Sequence, residues 1–211
     1  MNIDKTKSQK ENFKGFKFPL KGDIDALYMS NYVLAADYLA RRINSEICLE
    51  LCCAVGATTI IMAQKMKKIF AIDNNQTRIK NAYLNAKKGN VLKKIEFIVG
   101  DVMDDHILKR YKGEIKWVMA DPDWSPPKAN VRTHAHKLKD TTPPADLLYN
   151  KIKKLLTSDI VFRLPISISI DEISSLDPSE IQHVYIKNDL KFFYLYFGKL
   201  KRENGITKLW L

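Results

Sequence analysis

The sequence has little cysteine, little glycine and no long apolar run. Its 3 cysteines, Cys48, Cys52 and Cys53, include no Cys-x-x-Cys pair followed by a second, so a thiolate zinc site is not expected. They lie in or beside an apolar segment, where a thiol behaves as a small buried hydrophobe. No stretch approaches the roughly 20 apolar residues of a membrane helix, so no membrane association is expected. The lysines near Met1 have no apolar segment behind them, which argues against a secretory signal. His134 and His136 are spaced like a metal pair, but no further ligands cluster with them, and no metal is expected. Only 8 glycines occur, nowhere spaced as the three of a nicotinamide-binding turn.

Acidic residues are also in deficit, 24 against 35 basic ones, for a formal charge of +11. Such an excess suits a polyanion, because lysines and arginines near phosphates release condensed counterions. It also suits an ordinary solvated surface, and charge alone does not separate the two. The distribution is uneven. Six lysines fall in Met1 to Gly22, and seven basic residues in Lys128 to Lys154.

At 211 residues the chain is long enough for one full core. Met1 to Lys17, polar and without apolar periodicity, reads as a flexible basic extension; residues 18–211 read as one domain. Strands are expected at Glu46–Leu51, Ile69–Ile72, Ile95–Val99, Ile115–Met119, Ile160–Leu164, Ile181–Ile186 and Phe192–Phe197. Helices are expected at Asn31–Arg42, with Asn31 as N-cap, and at Thr58–Met66, Thr77–Lys88, Asp104–Tyr111 and Pro144–Leu156. Asn188-Asp189 reads as a hairpin turn. Alternation of strands and helices predicts a mainly parallel, seven-stranded Rossmann-like α/β sheet with helices on both faces and a C-terminal antiparallel hairpin.

Ligands of such sheets bind at the carboxyl ends of the strands. That rule aligns Glu50, Asp73, Asp101 and Asp121 along one rim. Glu50-Leu51-Cys52-Cys53-Ala54-Val55-Gly56-Ala57 forms the first strand-to-helix turn, whose small residues allow close backbone approach to a ligand. Asp73 can accept ribose hydroxyls and Asp101 an adenine amine. Each carboxylate alone reads as a helix cap or solvated residue. Together they give the layout of class I S-adenosylmethionine methyltransferases.

Asp121-Pro122-Asp123-Trp124 closes the fourth strand and leads into Ser125-Pro126-Pro127. A polar residue and neighbouring carbonyls there can accept from an exocyclic amine while the ring stacks on the plane that carries it.

With these residues assembled, the chain resembles the trimethylguanosine synthase family, the RNA cap guanine-N2 methyltransferases, and its archaeal relatives over Phe18 to Leu200. The family's Asp-Ala-Phe-Cys-Gly-Val-Gly-Gly-Asn-Thr is similar to Glu50 through Thr59. Its Ala-Ile-Asp matches Ala71-Ile72-Asp73, and its Lys-Ile-Glu-Phe-Ile-Cys-Gly-Asp is similar to Lys94 through Asp101. Its Ala-Tyr-Phe-Gly ending resembles Tyr194-Leu195-Tyr196-Phe197-Gly198. The family's Ser-Pro-Pro-Trp is here Asp121-Pro122-Asp123-Trp124, its following Gly-Gly-Pro is Ser125-Pro126-Pro127, and two glycines of the first motif are Ala54 and Ala57.

The resemblance implies methyl transfer from S-adenosylmethionine to the N2 amine of an RNA guanosine, in a 7-methylguanosine cap or elsewhere. Glu50, Cys52, Ala54, Gly56, Thr59, Asp73, Asn74, Asp101, Val102 and Asp121 would hold the donor. Asp121 and Pro122 would hold the amine, and Trp124 would stack on the purine, with Ser125, Tyr28 and Lys21 as further acceptor contacts. Trp117 reads as core. The same chemistry fits an adenine-N6 methyltransferase or a glutamine-amide methyltransferase, the latter disfavoured by the basic clusters. A catalytically silent RNA-binding subunit is the reading from another class. A monomer is expected, located in the cytoplasm, or in the nucleus of a eukaryotic source.

Overall fold

A computed structural model of the protein describes residues 13–43, 45–125 and 134–211. Eight strands form one sheet in the order β3-β2-β1-β4-β5-β7-β6-β8. They are β1 (Ile47–Leu51), β2 (Lys68–Asp73), β3 (Ile95–Val99), β4 (Trp117–Ala120), β5 (Ile160–Pro165), β6 (Glu180–Ile186), β7 (Asp189–Tyr196) and β8 (Gly205–Trp210). β7 is antiparallel to both β5 and β6, and every other pairing is parallel.

The helices are α1 (Ile24–Met29), α2 (Val33–Arg42), α3 (Ala57–Ala63), α4 (Gln76–Lys88), α5 (Asp105–Lys109), α6 (Ala145–Leu155) and α7 (Ile170–Ser174). Residues along β1, β4 and β5 are buried almost without a break. That is the pattern of strands covered on both faces. The period of two then sorts their side chains into two cores. Leu49, Leu51, Val118 and Phe162 pack with Leu148 and Ile152 of α6. Cys48, Trp117, Met119 and Val161 pack on the other side with Leu39 of α2 and Ile60 of α3. Trp117 is core, as its strand position requires.

Sequence reading and structure differ at several points. Phe16 is only 4% exposed and packs against Ala36, Ala57 and Ile61. The ordered fold therefore begins before residue 18; residues 1–12 lie outside the described residues. Asn31 does not cap α2, whose N-cap is Tyr32. Instead Asn31 is buried, with Nδ2 donating to the Tyr194 hydroxyl at 2.8 Å, because tertiary packing offers it a better partner than an exposed helix end. The eighth strand, β8, pairs in parallel with β6 at the edge of the sheet. With only Thr207 and Leu209 half-buried before Trp210, it has too little apolar alternation to stand out. The short α1 and α7, which the sequence reading passed over, are capped locally, Asp23 accepting from the Ala26 N–H and Ser169 from the Glu172 N–H. Asn188 falls in the hairpin turn, where Lys187 and Asn188 both have positive φ, as a tight hairpin demands.

Candidate active site

From β1 the chain runs outward through β2 to β3, then returns to place β4 and β5 on the other side. At that reversal, among the described residues, no crossover helix covers the strand ends, and a cavity of 320 Å³ opens there. Its wall includes Glu50, Asp73, Asp101 and Asp121, so the four strand-end carboxylates share one space.

The turn after β1 is built from three left-handed residues, Cys52 (φ 63°), Ala54 (φ 47°) and Gly56 (φ 76°). This conformation brings backbone rather than side chains to the cavity. The Ala54 N–H donates to Asp73 Oδ2 at 2.9 Å, and the Asn75 N–H to Asp73 Oδ1 at 2.9 Å. Two backbone bonds fix the Asp73 carboxylate, and its oxygens keep further lone pairs for a ligand. Asp101 is steadied by the Met103 N–H at 2.8 Å. Asn85 of α4 secures the turn by donating to the carbonyls of Val55 and Lys21.

Glu50 is buried and accepts from the Thr59 hydroxyl at 2.5 Å. Burial lifts its pKa to about 8, against the pull of that hydroxyl, and the charge of Asp121 raises it further. Burial also raises Asp73. It raises Asp121 to about 6, while Arg163 pulls the other way. Near neutral pH Glu50 is thus held protonated while Asp121 is ionised, and the carboxyl oxygens of the rim are placed to accept from hydroxyl and amine hydrogens.

Cys52, Ala54, Asn74, Val102 and Pro122 also line this cavity. Thr59 and Gly56 do not. Thr59 supports Glu50 from beneath, and Gly56 lies against Ala82 of α4, where an added Cβ would stand 3.1 Å from the Ala82 Cβ. Lys21 is exposed and lines neither this cavity nor its neighbour; its main chain serves Asn85 instead. Ser125 is likewise absent from both walls, and its N–H donates to Asp123 Oδ1 at 2.8 Å. Pro126 and Pro127 lie outside the described residues, as does part of the second basic cluster.

Beyond Trp124 lies a second cavity of 540 Å³, which shares Met29, Ser30, Trp124 and Arg163 with the first. Tyr28 lines this second space, 39% exposed. Trp124 is more buried than a loop position suggests, at 9% exposure. Its Nε1 donates to the Arg163 carbonyl at 3.3 Å, and the Arg163 guanidinium lies 4.6 Å from its ring centre. One edge of the motif is fixed by paired main-chain bonds between Asp123 and Thr142.

Two cations of the site escaped the sequence reading. Arg163 Nε donates to Asp121 Oδ1 at 2.9 Å; its only sequence signal is a lone charge inside an apolar strand. Lys14 bonds to the carbonyls of Tyr28 and Ser30. Burial, then repulsion from Arg163, lowers its pKa to about 7. Nothing near Lys14 in sequence marks it out. Among the described residues no group of His, Cys, Asp or Glu forms a metal site, and no helix is long and apolar enough to cross a membrane.

This sheet order, with its cavity at the reversal, is that of a class I S-adenosylmethionine methyltransferase. The chain belongs to the RNA cap guanine-N2 methyltransferase family, whose profile matches residues 45–201. An uncharacterized RNA methyltransferase of Clostridium acetobutylicum is 23% identical over 77% of this chain, which spans 35% of that protein. A second, from Clostridium tetani, is 30% identical over 37% of the chain and 17% of its own length. The chain thus spans about a third or less of these curated relatives. Among solved structures, a Porphyromonas gingivalis W83 protein assigned as a methyltransferase superposes with a TM-score of 0.65 at 16% identity, over 83% of this chain and 42% of that one. TrmK of M. capricolum, solved with S-adenosyl-homocysteine, gives 0.54 at 14% identity, over 81% and 69%.

Proposed function

We propose that the protein is an S-adenosylmethionine-dependent RNA methyltransferase acting on the exocyclic N2 amine of a guanosine. The observation that carries this reading is the position of Asp121-Pro122-Asp123-Trp124. Asp121, Pro122 and Asp123 border the carboxylate-lined cavity, and Trp124 stands between that cavity and the second one. Membership of the family supports the base and the atom.

The residues fit the methyl donor. Asp73, immobilised by two backbone N–H groups, accepts ribose hydroxyls, and Asp101 accepts the adenine amine, with Asn74 and Val102 beside them. Glu50, which its burial keeps protonated up to about pH 8, offers the donor a neutral hydrogen-bonding group. When bound, S-adenosylmethionine supplies an electrophilic methyl group.

On the acceptor side, the N2 lone pair of guanine is delocalised into the ring. Hydrogen bonds from the amine to Asp121 and to the Pro122 carbonyl orient it toward the donor. Positioning of this kind contributes about 7–11 kcal/mol in favourable cases. Asp121 then takes the proton released from the methylated amine, a role that needs its ionised form. Trp124, which borders both cavities, supplies a ring face for stacking, a contact worth ~1–3 kcal/mol per base.

Calorimetry with S-adenosylmethionine, followed by incubation with labelled donor and bulk tRNA or a cap analogue, tests the proposal. Donor binding and recovery of N2-methylguanosine after nucleoside digestion are expected. N6-methyladenosine as the product would replace guanine by adenine, and absence of donor binding would favour a silent RNA-binding subunit. Asp73→Ala should raise the donor Kd by about 10- to 100-fold, since hydrogen bonds to a charged group contribute roughly 1.5–3 kcal/mol. Asp121→Ala should abolish turnover with donor affinity nearly intact.

A further inference from the structure

A stacked aromatic pair lies beyond the two cavities, at the edge of the sheet. On the α6 side, Phe193 and Leu195 of β7 and Ile181 of β6 are buried in the core. The apolar face then continues onto β8, where Ile206 and Trp210 are 55% and 57% exposed. Trp210 is the ladder partner of Tyr185 in the parallel pairing of β6 and β8. Their rings stack with centroids 4.0 Å apart and planes inclined by 14°. Cross-strand aromatic pairs of this kind steady a sheet. Here, however, β8 is the last strand, and among the described residues no strand covers the Trp210 face turned away from Tyr185.

The pair also stands on the functional side of the sheet. β4 and β5 are parallel, β7 runs against both β5 and β6, and β8 is parallel to β6. The carboxyl ends of β6 and β8, which carry Tyr185 and Trp210, therefore fall on the same rim as Asp121. Leu190, Lys191 and Phe192 at the start of β7 wall the second cavity, and Leu190 is the ladder partner of Tyr185. Leu190, Tyr185 and Trp210 thus stand on three adjacent strands, which puts Trp210 two strand spacings, roughly 10 Å, from the cavity wall. Residues 185–191 and 205–211 carry three lysines, Lys187, Lys191 and Lys208, against one carboxylate, Asp189. Asp189 is paired with Lys191 at 3.0 Å. Lys187 and Lys208, both exposed, set the sign of this surface.

We propose that Tyr185 and Trp210 form a stacking platform for a single-stranded stretch of the RNA substrate that flanks the nucleotide being methylated, with Lys187 and Lys208 beside its phosphates. The inference rests on RNA as the substrate, and not on which base is methylated. An unstacked base offers a planar face that an exposed indole accepts whatever the sequence. Lysines next to the ring gain from the phosphates that follow, through release of condensed counterions. A second copy of the chain is disfavoured at this edge, because two such surfaces would set lysine against lysine.

Equilibrium binding of the full chain, saturated with S-adenosylhomocysteine, to a fluorescein-labelled single-stranded RNA of about 12 nucleotides tests this. Trp210→Leu is expected to weaken binding about 5- to 150-fold, and Trp210→Phe, which keeps a ring, to stay within about threefold of the wild type. Calorimetric affinity for S-adenosylmethionine should be unchanged in both, since Trp210 does not line the donor cavity. A folded Trp210→Leu that binds the RNA as the wild type does overturns the proposal. So does a Trp210→Leu altered only in oligomeric state by ultracentrifugation, which would make this edge a contact between copies. If that variant does not fold, photo-cross-linking of the wild type to the same RNA carrying 5-iodouridine decides alone. An adduct at Tyr185 or Trp210 supports the platform, and adducts confined to other residues overturn it. Donor binding without RNA binding by the wild type removes the RNA reading itself. RNA binding indifferent to Trp210 removes only this inference.

Discussion

Arg163 and Asp121 meet at 2.9 Å across neighbouring strands, β5 and the end of β4. This pair places a fully formed cation behind the carboxylate proposed to receive the amine proton. Burial raises the pKa of Asp121 to about 6, and Arg163 restrains it from rising further.

In the proposed mechanism Asp121 acts ionised, so kcat/KM should rise as pH increases through about 6 and level off above it. Arg163→Met should move the midpoint upward, because the restraining charge is gone. A rate profile flat from pH 5 to 8 would remove Asp121 from the proton path.

Glu50 gives stability the opposite slope. Its folded pKa, about 8, lies above the ordinary 4.5, so the folded state holds a proton that the unfolded chain releases. Between these values stability falls as pH rises, by roughly 1.4 kcal/mol per pH unit for this group. Glu50→Gln should remove that slope, as read by urea denaturation at pH 5.5 and 7.5.

Gly56 stands at φ 76°, where an L side chain is strained, and an added Cβ would press on Ala82. Gly56→Ala should destabilise the fold by about 1–2 kcal/mol from the backbone conformation alone. Thermal melts with and without S-adenosylmethionine will show the loss chiefly in the donor-free protein if the donor braces the turn.

Far from the site, Arg42 and Glu180 form a buried pair at 2.5 Å. The Tyr196 ring lies 3.7 Å from the guanidinium. Glu180 also accepts from the Arg202 N–H and the Thr207 hydroxyl, which ties β6 to α2 and to β8. Arg42→Met leaves a buried carboxylate without its cation and should cost about 3–5 kcal/mol. A circular-dichroism melt close to that of the wild type would show that solvent reaches the pair.

Much of the architecture was legible because local chemistry and tertiary structure agree there. The runs at 47–51 and 160–164, apolar but for Glu50 and Arg163, fit strands covered on both sides, and Asp104 marks the start of its helix by capping it. Asp73 and Asp101 were readable because the first ends β2 and the second follows the end of β3 by two residues, and the parallel sheet brings such ends to one rim. Legibility failed where a residue's part depends on something distant in the chain. Asn31 looks like a cap but bonds to Tyr194, and Phe16 sits in a lysine-rich stretch yet is buried by α2 and α3. Lys21 and Thr59 share motifs with site residues, but one faces solvent and the other lies beneath Glu50.

The sequence by itself determined the class of sheet, the order of its carboxylates and the motif Asp121-Pro122-Asp123-Trp124, because periodicity and strand-end position are properties of neighbouring residues. Only the tertiary structure decided what surrounds that motif. Arg163 arrives from a strand forty-two residues later, and Lys14 from the segment before the first helix. Charge and burial at Asp121 are sums over groups that the chain brings together only by folding, so the character of the acceptor site is written in space rather than in spacing.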